Sequence, residues 1–489
     1  MKKTVLKGAA WLTGQQMLTF FLNLVLLVVL SRLLRPAEIG LAATLVAAMG
    51  LCAVITEFGM GAAIVQRSSI TANHVRTATV YVVAAGISAV GVIWVLSPLI
   101  LDRFAWFGDT RETVLLASFL ALTGPALTLV SSLSQRELDF RRIAAARLSG
   151  MFIGQTLVSV ALAWQGFGAS SIIAGQLSSA VLQIIILTPA SRLREKAEIR
   201  FAAMRDLLGF GASLSVARLA MVIHGYIDRP IIAALLGQAA VGLYVRADQI
   251  SRSIDLVLQP LLSAIGFPVM ARLQNNRSRL LIACQSATAA SMLFVVPVSL
   301  MVSLFADDVI VVALGPGWSS TGDALKILAF VPIFMTLAEI HFALLRGTNH
   351  LHLFAALQWI VAGLIASGLY LGTSYGLAGA SLGILGSRVI GALGAVLLSC
   401  RVLAVSPFVM LRYAAPWAGV AAAILLASAF DLPMPIFRLS PPVAVLMAGM
   451  LACGLMASAL FILPKIFVTA ELVELRHSLA RSLWLRLRP

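Results

Sequence analysis

Fourteen apolar segments, each close to the roughly 20 residues that carry a helix across a bilayer, leave this chain few ways to fold. Their approximate limits are 8–34, 37–65, 77–101, 113–135, 143–164, 168–190, 207–236, 239–271, 280–305, 324–345, 351–372, 376–400, 413–430 and 442–463. Backbone groups in hydrocarbon must satisfy one another, so each segment is read as a helix. The expected fold class is an all-α polytopic membrane protein. Charged residues make up only 11% of the chain, against about a quarter in soluble domains. That scarcity excludes a soluble multidomain enzyme. The first apolar stretch is too long for a cleavable signal, and no small-x-small site follows it.

Of the 36 Lys and Arg residues, six lie within spans and the other 30 divide unevenly between alternate connections. One set holds 25, including Lys2, Arg67, Arg76, Arg136, Arg141, Arg142, Arg147, Arg272 and Arg346, and the opposite set holds 5, Arg32, Arg35, Arg103, Arg111 and Arg438. The positive-inside rule then places both termini in the cytoplasm. The net charge of +16 faces the anionic inner leaflet. Spread over eight segments, it forms no nucleic-acid patch.

Two strings repeat at an offset of 202: LLRPAEIGL at Leu33–Leu41 and LLGQAAVGL at Leu235–Leu243. Each falls at the outer turn between the first two helices of a six-helix block. Both blocks start on the same side, so the repeat is parallel, about an axis along the membrane normal. The expected domains are a lobe at 1–200, a second lobe at 201–405, helices 13 and 14 at 406–463, and a basic amphipathic cytoplasmic tail at 464–489. In that tail Leu472, Leu475, Leu479 and Leu483 recur at helical spacing among arginines, which suits a helix lying on the membrane surface. Gly-rich stretches such as Gly376–Gly394 suit close helix packing.

Ionisable residues inside spans mark a cavity or a pathway by default. Helix 7 carries Arg218, His224, Asp228 and Arg229, helix 8 carries Arg246, Asp248, Arg252 and Asp255, and Arg388 lies on helix 12. Asp248, Arg252 and Asp255 recur at i, i+4 and i+7, one face of a helix. Asp228 and Arg246 stand at similar depth on either side of a hairpin at Gly237–Gln238. Two readings follow: a hydrated, cation-rich cavity that binds substrate, or fixed pairs that neutralise one another between packed helices. Glu57 and Asp228 are the candidates for coupling or gating. Glu57 lies close enough to the inner face to snorkel. Glu339 and His341 read as structural, and His350 and His352 as a solvated turn.

No catalytic constellation or P-loop is present, so neither an enzyme nor an ATP-driven pump is expected. Cys52, Cys284, Cys400 and Cys453 form no CxxC pair, and neither metal nor cofactor is expected.

The opening from Lys7 to Ala43, the stretch ITEFGMGAAIVQR (Ile55–Arg67) and the stretch YIDRPIIAALLGQAAVGLYVRADQI (Tyr226–Ile250) resemble polysaccharide flippases. These are the lipopolysaccharide and exopolysaccharide transporters of the multidrug/oligosaccharidyl-lipid/polysaccharide exporter superfamily. The resemblance implies two six-helix lobes around a central cavity, with Asp228 and Arg229 among the cavity residues. It implies a lipid-linked oligosaccharide as substrate, moved across the bacterial inner membrane, with membrane lipids and polysaccharide polymerase machinery as partners. An ion-coupled drug exporter of the same superfamily and a membrane-embedded glycan polymerase or ligase are the alternatives.

Overall fold

The computed structural model describes residues 2–67, 69–103, 110–188, 198–199, 204–205, 219, 223–262, 266–420 and 440–461. Arg218, the tail from Lys465 and most of the segment expected at 413–430 lie outside these residues. Those described form helices and turns, with no strand among them.

The chain divides into two compact units, Met1–Val245 and Arg246–Pro489. The first contains α1 (Lys2–Leu33), α2 (Pro36–Glu57), α3 (Met60–Gln66), α4 (Ala72–Arg103), α5 (Arg111–Ser118), α6 (Leu120–Arg136), α7 (Phe140–Ser149), a π-helical stretch (Gly150–Val158), α8 (Ser159–Trp164) and α9 (Ala169–Leu187). Next comes α10 (Asp228–Leu261), which crosses into the second unit. There follow α11 (Phe267–Leu273), α12 (Arg277–Leu304), α13 (Ala306–Ala313), α14 (Thr321–Leu328), α15 (Val331–Gly347), α16 (Leu351–Gly372), α17 (Gly376–Leu403), α18 (Pro407–Leu411) and α19 (Pro441–Phe461).

Among the described residues, eleven helical stretches are long and apolar enough to cross a membrane, making this a multi-pass membrane protein. Two exceed a single crossing. Ile223–Asp255 spans 33 residues and breaks at Gly237 (φ 85°, ψ 171°), the hairpin expected there. Leu351–Leu403 spans 53 residues and turns at Thr373–Tyr375 into the antiparallel pair α16–α17. The segment expected as one span at 37–65 is instead broken. Phe58 (φ 45°) and Gly59 (φ 71°) are both left-handed, ending α2 and starting α3. Apolar content alone does not reveal such a break, because α3 is as apolar as α2. The connection around Ala306–Asp323 holds α13 and a 3-10 turn. Its Asp307 pairs with Lys326 of α14 at 2.8 Å, and burial with the neighbouring Asp307 raises the Asp308 carboxyl above its ordinary range.

Local sequence explains the start of α2. Pro36 occupies the first helical turn, where no amide donor is needed. The Arg35 amide donates to the Glu38 carboxylate at 2.7 Å, as in a capping box. In the first unit α2 packs on α6 and α9, and α6 also supports α3 and α4. Ala42, Leu45, Ala117, Ala121 and Ile173 form one core there. Met60, Ile64, Ala78, Val82 and Leu129 form another. In the second unit α12 packs on α15 and α19, and α15 on α17.

The two repeated strings touch inside the first unit. A Cβ built on Gly40 would meet the Gln238 carbonyl oxygen at 1.8 Å, and one on Gly242 the Pro36 carbonyl oxygen at 1.9 Å. Exchanging each residue for its partner 202 positions away turns one contact into the other. The contact is therefore self-complementary, as at a two-fold axis between like elements. The Thr44 hydroxyl donates to the Gln238 side-chain oxygen at 3.0 Å beside it.

Candidate functional site

Membrane-depth charge gathers in each unit separately. In the first unit Asp228 is buried. The Tyr244 hydroxyl donates to its Oδ2 at 2.5 Å, and the Arg229 amide to its Oδ1 at 2.9 Å. The break at Gly237 makes this possible by folding the two arms of α10 together, so residues 16 apart in sequence meet. The Arg229 guanidinium lies 4.9 Å from the centre of the Tyr226 ring, a cation–π contact. His224 is half-buried in the turn before Asp228. Glu57 is buried rather than snorkelling, and its carboxylate accepts from the Gly61 amide at 3.2 Å. It thereby joins the end of α2 to the start of α3 across the left-handed break.

Tyr244→Phe removes the hydroxyl that Asp228 shares. The variant is expected to lose about 1.5 kcal/mol, the lower bound for a hydrogen bond to a charged group. Thermal unfolding of purified protein in detergent measures it, and an unchanged midpoint would show the bond contributes nothing.

In the second unit the stripe expected on helix 8 is present and meets two further helices. Arg252 Nε donates to Asp248 Oδ1 at 2.7 Å. Asp255, one turn on, is buried and feels the charges of Arg252, Asp248 and Arg388. Thr336 of α15 donates to Asp255 Oδ1 at 3.5 Å. Arg388 is itself buried on α17, and the packing of α15 on α17 brings it to the stripe. Arg246 is buried and donates to the Gln249 side-chain oxygen at 2.6 Å. Among the described residues, Arg246 Nε, Arg246 Nη2 and Asp255 Oδ2 are buried with no hydrogen-bond partner.

Among the described residues this cluster thus holds three buried or half-buried guanidinium groups, Arg246, Arg252 and Arg388, against two carboxylates, Asp248 and Asp255. Fixed pairing describes Asp248 with Arg252 and, among the described residues, leaves Arg246 without an acid. Buried donors of a charged group need an acceptor, either water or a ligand oxygen. Arginine presents its donors as a planar fork suited to phosphate oxygens. Glu339 pairs with Arg346, which fits a structural role, and His341 is fully buried. No group of three or more potential metal ligands occurs among the described residues.

Tyr244, Gln249 and Thr336 were not expected from the sequence. Tyr244 could have been found: it lies seven residues past Gly237, close to the depth of Asp228 nine residues before it. Thr336 carries no such signal, since a hydroxyl in an apolar helix usually bonds its own backbone.

A family model described as a polysaccharide biosynthesis protein matches residues 29–323. Lipopolysaccharide biosynthesis protein WzxC of Escherichia coli (strain K12) is 21% identical over 348 residues, covering 69% of each chain. Succinoglycan biosynthesis transport protein ExoT of Rhizobium meliloti (strain 1021) is 22% identical over 351 residues, covering 71% of this chain and 70% of its own. Among solved structures, lipid II flippase MurJ in an inward closed conformation superposes with a TM-score of 0.68 at 14% identity. It covers 93% of this chain and 98% of its own, and so supports the same polytopic fold.

Proposed function

Because the chain belongs to the polysaccharide biosynthesis protein family, we propose that it moves a polyprenyl-pyrophosphate-linked oligosaccharide from the inner to the outer leaflet of the bacterial inner membrane. Relatives named for lipopolysaccharide biosynthesis and for succinoglycan transport support the substrate class. The single observation that carries the reading is Arg246, a buried guanidinium with two donor atoms that no described residue matches. A pyrophosphate supplies the missing acceptors.

The physical task is to keep a multiply charged headgroup out of hydrocarbon. The idealised cost of one bare ion there is of order 20 kcal/mol. Arg246, Arg252 and Arg388 replace part of the headgroup's hydration. Asp248 and Asp255 keep the empty site from carrying three unopposed charges. Two parallel lobes, 1–200 and 201–405, rock to expose the site to each leaflet in turn, with Glu57 and Asp228 as candidates for coupling that movement to an ion. Both termini lie in the cytoplasm, and polysaccharide polymerase machinery takes up the product outside. The chain acts as a transporter and makes or breaks no covalent bond.

Arg246→Gln tests this. Removing unmatched buried donors leaves thermal stability unchanged or higher. Flipping of a fluorescent lipid-linked oligosaccharide in proteoliposomes falls about tenfold, the loss of one charge-assisted hydrogen bond of about 1.5 kcal/mol. Undiminished flipping, or resistance to cationic dyes without any flipping, overturns the reading.

A further inference from the structure

We propose that a cavity in the first unit, between α4, α6 and α9, holds one anionic phospholipid of the leaflet on the basic side. The cavity measures about 540 Å³. Its walls come from one face of α4 (Val75, Val82, Val83) and from α6 and α9 (Leu129, Leu133, Ile184). These walls are mainly apolar and carry no charge beyond the mouth, with Thr79 between Val75 and Val82. From Arg76 to Val83 the α4 face runs seven residues, roughly 10 Å of helix. Charge is confined to one end, where Arg76, Arg136 and Glu137 line the mouth. An apolar slot with a charged mouth has the shape of an amphiphile.

The mouth belongs to the end of the helices that carries the basic connections. Arg136 is held rigidly there, donating to the carbonyl oxygens of Ile64 at 2.8 Å and Arg67 at 2.5 Å. Arg76 is exposed. Together the three charges give the mouth a net of +1. That matches the single negative charge of a phosphodiester headgroup. A pyrophosphate would leave negative charge unmatched, and a zwitterionic headgroup would bring its own cation to Arg76. Val83 is 39% exposed, so the slot is open at the membrane face and a lipid enters sideways. This site is separate from the charge cluster of the second unit and does not depend on the transport reading.

The test is native mass spectrometry of the full chain, extracted from vesicles of equal phosphatidylglycerol and phosphatidylcholine. Wild type is expected to retain one phosphatidylglycerol in preference to phosphatidylcholine. Arg76→Glu and Arg76→Gln each lower that preference, the first by about fivefold or more, as expected for a basic residue at an anionic surface. Val83→Trp fills the slot and removes both lipids, while thermal unfolding shows that each variant folds. Equal retention of the two lipids by wild type overturns the proposal. So does unchanged preference in both Arg76 variants, and so does displacement of phosphatidylglycerol by one equivalent of undecaprenyl pyrophosphate.

Discussion

Gly40→Ala and Gly242→Ala are each expected to destabilise the protein by about 3 kcal/mol, the upper end for overpacking, and to abolish transport. The added methyl group would stand 1.8 Å from the Gln238 carbonyl oxygen in one case and 1.9 Å from the Pro36 carbonyl oxygen in the other. Both obstacles are backbone. A flexible side chain could swing aside, but here whole helices must separate. The two contacts are images of one another, so the two costs should agree. They should also fail to add, because the first methyl group opens the gap that the second needs. Gly449→Ala is the control, since nothing lies within 4 Å of its Cβ. Thermal unfolding in detergent and the flipping assay provide the readouts. A double variant that loses the full sum would show that the two glycines act independently and would remove the symmetric contact from the account.

Arg388→Met is expected to cost about 3 kcal/mol, the lower end of the penalty for removing one partner of a buried charge pair. The group that loses a neighbouring cation is Asp255, which keeps the charge of Arg252 and one of whose oxygens has no hydrogen-bond partner among the described residues. The double variant Arg388→Met/Asp255→Leu removes both charges and should regain most of that stability. The decisive measurement is transport by this double variant. If the cluster serves only to join helices, stability and transport return together. If it binds the headgroup, stability returns and flipping stays at background. Full transport by the double variant would move Arg388 and Asp255 from the site to the scaffold.

The fold was largely legible because hydrophobicity and helix coincide in a membrane. Even the Gly237 hairpin could be placed from a short polar interruption between apolar runs. The left-handed break at Phe58–Gly59 was missed although Glu57 and Gly59 interrupt the apolar run there, because apolar residues resume at once in α3, which packs on α6. The helix-8 stripe followed from spacing alone, and the structure adds an ion pair between Asp248 and Arg252. Spacing within one helix could not assign a partner to Arg246 or seat Arg388 beside Asp255, since those depend on how three helices pack. The repeat at an offset of 202 suggested likeness between two turns. That these turns press against each other is a fact of three dimensions that neither string contains.

The antiparallel pair α16–α17 has a consequence for biogenesis. Gly368 faces the Gly383 carbonyl and Gly372 the Gly379 carbonyl, and each glycine of the second helix returns the contact. These partners are 7 and 15 residues apart, so loop closure asks little entropy of them. The hairpin can zip as soon as its second arm has left the ribosome. The crossing of Gly40 with Gln238 must instead wait until some 200 residues have been synthesised. A junction that cannot close before residue 242 has emerged leaves the early helices exposed to the insertion machinery until then. Slowed translation between residues 190 and 240 should therefore impair assembly far more than a pause after residue 403.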